Sequence, residues 1–182
     1  MPIEPASWRR MAWVAGAWLA AAPAGADIGF RNFDDPDAPR WQEEETVLPA
    51  FPQDANLREF YVSELTRHRF FIDASTLVIG KDGVVRYVLV IRTQGGATNI
   101  SLEGMRCETR EFKIYATGQR DGNWTRSRRD EWRPIENKPA NRHHAALSRD
   151  LFCPNGVAIR SPDEGRNALR LGRHPDAASS VP

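Results

Sequence analysis

From about residue 60 to residue 128 the chain is a succession of short apolar and aromatic runs separated by glycine-bearing turns, and this pattern restricts the fold more than any other feature. Phe60-Tyr61-Val62, Arg69-Phe70-Phe71-Ile72 and Thr76-Leu77-Val78-Ile79 read as strands, the last leading through Lys81-Asp82-Gly83 into Val84 to Arg92. Asp-Gly between two such runs predicts a type I′ hairpin, whose central residues need positive φ. Val84 to Ile91 is apolar on both alternating faces except at Arg86, as expected of a central strand covered on both sides. After Gln94-Gly95-Gly96, Ile100 and Leu102 alternate with Asn99, Ser101 and Glu103, which predicts a half-buried strand. From Arg106 to Thr117, Cys107 falls on one alternating face and Phe112 and Ile114 on the other. Either a bulge near Arg110 corrects the register or the segment is two strands. Asp121-Gly122-Asn123 turns the chain into a last polar strand, Trp124 to Arg128. Short consecutive strands with tight turns imply an antiparallel meander.

The period then changes. Asn141 is a suitable N-cap, and His143, Leu147 and Leu151 recur at helical spacing up to Cys153, where Pro154 and Gly156 stop the helix. Ser161-Pro162-Asp163-Glu164 is a capping box with proline at the first helical position, opening a second helix that stops near Gly172. The expected fold is α+β, an antiparallel β-meander sheet packed by a C-terminal helix, over residues 54–172. Residues 27–53 are rich in proline and acid and read as an extended lead-in, which Phe30, Phe33, Trp41 and Phe51 can pin to the domain. Residues 173–182 read as a disordered tail.

Residues 1–26 have the three parts of a secretory signal. Arg9 and Arg10 form the basic region, Met11 to Ala22 the apolar run, and Ala24-Gly25-Ala26 the small-x-small pattern, so cleavage is expected after Ala26. A spanning helix needs about 20 apolar residues; this run is shorter and ends at Pro23. Trp8 separates the arginine pair from Ser7, which favours the general secretory route over a twin-arginine one. No cysteine near Ala26 offers a lipid attachment point, so a soluble product without stable membrane insertion is expected. The chain has 25 Lys and Arg against 24 Asp and Glu, and loss of Arg9, Arg10 and Glu4 with the leader leaves it neutral. Neutrality gives no general pull toward nucleic acid.

Cys107 and Cys153 both lie in the mature part. In an oxidising compartment a distant pair most simply forms a disulfide, here from the helix end to the sheet; the competing reading is a reactive thiol beside a histidine.

The ordered set Phe71-Ile72-Asp73, Asp82-Gly83-Val84-Val85-Arg86-Tyr87, Arg106-Cys107-Glu108-Thr109-Arg110-Glu111, Trp132-Arg133-Pro134-Ile135, Asn141-Arg142-His143-His144-Ala145-Ala146-Leu147 and Phe152-Cys153-Pro154 resembles the cryptic neisserial protein-like family of exported Gram-negative proteins. The resemblance runs from about Phe33 to Leu171. It implies a periplasmic protein and carries over no catalytic residues.

Adjacent His143 and His144 point about 100° apart on a helix, whereas metal-binding pairs prefer i, i+4 spacing, so packing beside Leu147 competes with a metal site that His68 would complete. Arg106 and Arg110, with Glu108 between them, form either a salt-bridged strand face or an anion site, to which Arg133 adds a further guanidinium. Trp132 reads as a core cap or a stacking platform. No nucleophile elbow, phosphate loop or dinucleotide fingerprint is present, which argues against an enzyme and gives no cofactor to expect. The expected function is a non-enzymatic binding or accessory protein of the envelope, with an unidentified envelope protein or small ligand as partner and Trp132, Arg133, Arg142 and His143 as exposed candidates. A metal- or anion-binding protein, and a hydrolase or thiol enzyme using a cysteine with His143 or His144, are the alternatives.

Overall fold

The computed structural model describes residues 40–129 and 131–177. The export signal with Ala26, together with Phe30 and Phe33 of the lead-in, lies outside them.

Three hairpin loops share one construction. In Gly80–Val84, Thr93–Ala97 and Gln119–Asn123, the fourth residue's amide donates to the first carbonyl, and the first amide donates to the fifth carbonyl, at 2.8 to 3.1 Å. The fourth residue is glycine each time, Gly83, Gly96 and Gly122, with φ of 76°, 82° and 83°. Asp82 has no positive φ, so the expected type I′ turn is replaced by a three-residue loop closed by a left-handed glycine. That loop needs positive φ at one residue rather than two.

The strands are β1 (Leu57–Phe60), β2 (Arg69–Asp73), β3 (Val78–Ile79), β4 (Val85–Arg92), β5 (Thr98–Arg106), β6 (Glu111–Gly118), β7 (Trp124–Arg126) and β8 (Arg133–Pro134). They form one antiparallel sheet in the order β1-β2-β4-β5-β6-β7, with β3 on β4 and β8 on β6. The first strand therefore ends at Phe60 rather than including Tyr61 and Val62. Between β5 and β6 the chain turns over Cys107–Arg110, where the Arg110 amide donates to the Cys107 carbonyl and Arg110 has φ 54°. The two-strand reading holds, and Arg106, Glu108 and Arg110 do not share a strand face. A bulge occurs elsewhere: Leu102 pairs with Ala116 and Glu103 with Ile114, leaving Tyr115 as the extra residue.

Both faces of β4 and β5 are covered. On one, Val85, Tyr87, Leu89, Met105 and Phe112 meet Leu147, Leu151 and Phe152. Burying each large apolar side chain contributes roughly 1.5–3 kcal/mol. Helix α1 (Arg142–Ala146) continues as a wider π-type segment, Leu147–Phe152, whose last bond runs from the Cys153 amide to the Ser148 carbonyl at 3.0 Å. Leu147, Leu151 and Phe152 of this segment are all buried. Asn141 starts the helix through its carbonyl, which accepts from the His144 amide at 3.0 Å, and not through the expected side-chain cap. Helix α2 (Pro162–Leu171) begins as its sequence predicts, Ser161 Oγ accepting from the Glu164 amide, and ends on left-handed Gly172. The Cys107–Cys153 disulfide joins the turn after β5 to the end of the π-type segment.

The other face carries residues 40–53, which cross it as a strap without regular secondary structure. The strap backbone is fixed by the sheet's polar side chains. Arg86 donates to Thr46 Oγ1 and to the Glu44 carbonyl, both at 3.0 Å, and pairs with Asp82 at 2.6 Å. Asp82 in turn accepts from the Glu44 amide at 2.9 Å. Glu43 takes Lys113 Nζ at 2.9 Å and the Tyr115 hydroxyl at 2.6 Å. Trp124 Nε1 donates to the Pro49 carbonyl, and Phe51 packs on its ring at 5.5 Å.

Residues 173–177 do not continue as the disordered tail expected of them. The His174 amide donates to the Asp150 carbonyl at 2.7 Å, its ring meets Glu164 at 3.0 Å, and His174 and Ala177 are buried. These contacts order the segment despite its small and polar composition.

Two stability measurements check this construction. A Cβ at Gly104 would lie 2.6 Å from the Tyr115 hydroxyl and 2.9 Å from Val84 Cγ1. Gly104→Ala is expected to cost about 1–3 kcal/mol in urea unfolding, because the covered sheet leaves little room to relax. Replacing both cysteines by alanine removes a cross-link spanning 46 residues. The expected loss is about 4 kcal/mol on the chain-entropy account, read from the shift in urea midpoint.

Candidate functional site

The chemistry-bearing side chains divide between the interior under α1 and an open groove beside it. In the interior, Glu103 projects from β5 onto the helix-covered face, not outward as its alternation suggested, and is 2% exposed. It accepts the Ser101 hydroxyl at 2.7 Å, the Tyr87 hydroxyl at 3.2 Å and His144 Nε2 at 2.8 Å. Burial alone would push this carboxyl up; the His144 charge and the hydrogen bonds from His144 and Ser101 outweigh it and hold the group below its ordinary range. The Tyr87 hydroxyl is pushed well above its ordinary value by burial and by the Glu103 charge, so it remains a donor.

His144 lies between two rings, Phe112 at 3.7 Å and His143 at 4.0 Å. His143 stacks in turn on Phe70 at 5.3 Å, and the Arg133 guanidinium lies over the Phe112 ring at 4.6 Å. The adjacent histidines thus form part of an aromatic stack rather than a metal pair. With Nε2 donating to Glu103, His144 Nδ1 is a buried nitrogen without a hydrogen-bond partner among the described residues. The carboxylate–imidazole pair resembles half of a general-base device. His144 is 3% exposed, however, and the neighbouring Ser101 and Tyr87 hydroxyls both donate to Glu103. No group of three His, Cys, Asp or Glu side chains suited to a metal occurs among the described residues. Thiol chemistry fails on a firmer ground: both cysteines are in the disulfide.

His143 opens this interior to a groove of about 620 Å³ between the β1–β2 loop, the ends of β4 and β5, and the approach to α1. Arg67, His68, Gln94, Asn99 and Arg142 bring polar groups to it, over Val62, Phe70 and Ile91. Among the described residues no acidic side chain lines it. Arg142 donates once, to Ser63 Oγ at 3.2 Å, and Arg67 is exposed; neither has a carboxylate partner among the described residues.

Of the residues read as binding candidates, the fold therefore brings Arg142 and His143 together and adds His68. It places the others elsewhere. Arg106 lies on the strap side, 3.8 Å from the Trp41 ring and paired with Glu111 at 3.2 Å. Trp132 packs edge-on to Trp41 and donates to Glu43. Arg110 is exposed in the β5–β6 turn, and its carbonyl accepts from Ile135.

In comparison with known proteins, residues 36–170 match the CNP1-like family. The chain belongs to that family. The resemblance drawn from the ordered motifs is thus confirmed, and the matched span holds the strap described above, the whole sheet, both disulfide cysteines and every groove residue. Among curated proteins, Cryptic neisserial protein 1 of Neisseria gonorrhoeae is 28% identical over 165 residues, covering 78% of this chain and 80% of the relative. No solved structure matches the CNP1-like chain. Among the described residues, no helix is long and apolar enough to cross a membrane.

Burial, then the neighbouring His144 charge, lower the His143 pKa to about 4, against partial compensation from Glu103. An unfolded chain takes this proton near pH 6.5 and the folded one only near pH 4, so acid favours unfolding between those values. Stability is expected to fall by about 3 kcal/mol through this group across that window and to level off below it. His143→Phe, which keeps a ring in the stack, is expected to flatten that part of the profile in urea titrations from pH 7 to pH 4.5. The Glu103 contribution is lost only at lower pH, below its unfolded range. An unchanged slope in the variant would mean that His143 is not the group responsible.

Proposed function

We propose that this protein is a non-enzymatic binding or accessory component of the bacterial cell envelope, acting in the periplasm after cleavage behind Ala26, with the groove beside α1 as its binding site. The observation that carries this reading is the division of the polar groups. The reactive-looking set, Glu103, His144 and Tyr87, is sealed and internally satisfied apart from His144 Nδ1, while the solvent-open concavity offers donors over an apolar floor. Such a combination suits binding, where a few polar groups orient a ligand against apolar surface. The closed Cys107–Cys153 pair fits an oxidising compartment, and the basic, apolar and small-residue order of residues 1–26 fits export.

The reading is tested in living cells with a photoreactive side chain introduced at one of two positions. Thr66 lines the groove, and Val47 is an exposed strap residue well away from it. Irradiation is expected to give a discrete adduct from position 66 and none from position 47. No adduct at 66, or the same adducts from both positions, would count against a binding groove.

A further inference from the structure

We infer that the groove takes a carboxylate carried on an apolar body, with the Arg142 guanidinium as its anchor and Leu65, Ile91 and Val62 as the surface the body covers. This rests on the reading of the groove as the binding site and adds the ligand's chemistry. Arg142 is half-buried and held by its bond to Ser63 Oγ, so one nitrogen of the fork is fixed while the remaining N–H groups stay unpartnered among the described residues. A guanidinium fork with donors to spare matches two oxygens in one plane, the geometry of a carboxylate. Arg67 adds a second positive charge on the same rim, and Gln94 and Asn99 add amide groups. Among the described residues no acidic side chain lines the groove itself, and the nearest carboxylates, Glu59 and Glu64, line the adjoining depression behind the β1–β2 loop.

The floor decides between kinds of anion. A bare inorganic anion would satisfy the guanidinium groups and leave Val62, Leu65 and Ile91 wet. A carboxylate with an aliphatic or aromatic body covers both surfaces at once, and a groove of about 620 Å³ holds a ligand of that size. His143 is kept neutral near pH 7 by its burial and, stacked on Phe70, lines the groove as further surface. The same chemistry is offered by a small free organic acid and by the end of a polypeptide chain.

Calorimetric titration of the full mature protein with defined probes tests this. The probes are 4-phenylbutanoate, its neutral amide, inorganic phosphate, and a phenylalanine-ending tripeptide with a free or an amidated terminus. Phenylbutanoate or the free-ended tripeptide is expected to bind saturably, and the amide counterpart about tenfold or more weakly, since a charge-assisted fork is lost. The tighter of the two acids identifies the source, free acid or chain end. Arg142→Gln is expected to weaken the acid about tenfold while leaving the amide unchanged; Arg67→Gln, at an exposed position, weakens the acid less. Equal binding of acid and amide, phosphate binding as tightly as phenylbutanoate, an unaffected Arg142→Gln protein, or no binding by any probe would overturn the assignment. If the position-66 adduct persists under any of those results, the groove binds something else; if it is also absent, the groove itself is not the site.

Discussion

Over Val85–Val90 and Leu102–Met105 the two central strands β4 and β5 have no side exposed to water, so each polar side chain carried there must bring its own partners. Arg86 points to the strap and Glu103 to the helix layer, and each is held by several groups from other parts of the chain. A charge buried without such partners would cost several kcal/mol. The strap and α1 therefore have fixed places: Thr46 and Glu44 must lie over Arg86, and His144 must reach Glu103. The aromatic stack from Phe70 to Phe112 and the position of His143 at the groove follow from that second attachment.

Much of this could be read in the residues. Glycines at 83, 96 and 122 mark three loops of the meander, and Ser161-Pro162-Asp163-Glu164 marks the start of α2. The continuous apolar run of β4 announced a strand covered on both sides, although the sequence does not show that residues 40–53 supply one cover. The π-type segment was not legible, because i+4 spacing of His143, Leu147 and Leu151 describes an ordinary helix equally well. Residues 173–177 misled for the opposite reason: their order comes from long-range contacts of His174, not from local propensity.

The site was only half legible. Arg142 and His143 stand next to each other in sequence, and their shared position survived folding. Their separation from Arg106 and Trp132 depends on which sheet face each occupies, and this follows from register. Glu103 shows the same point. Read with Ser101 it alternates outward; read with Met105 and Cys107, whose side chains share its face, it falls in the core. A carboxylate two residues before an apolar pair on one strand face is a signal for a buried partner, and the imidazole that meets it belongs to α1. Arg67 and Asn99 carry no such signal, because loop ends come together only after the sheet has formed.

The strap's attachments have a consequence for how the molecule is assembled. Glu43 and Pro49 meet Lys113, Tyr115, Trp124 and Trp132, partners 70 to 89 positions further along. The hairpins, by contrast, close over a handful of residues and need nothing distant. A chain made from its N-terminus therefore produces the strap early and must carry it unattached until the sheet beneath it exists. Until that moment the Arg86 side of the sheet is bare, and one of the first segments synthesised finds its place only once strands 70 or more positions further along have formed.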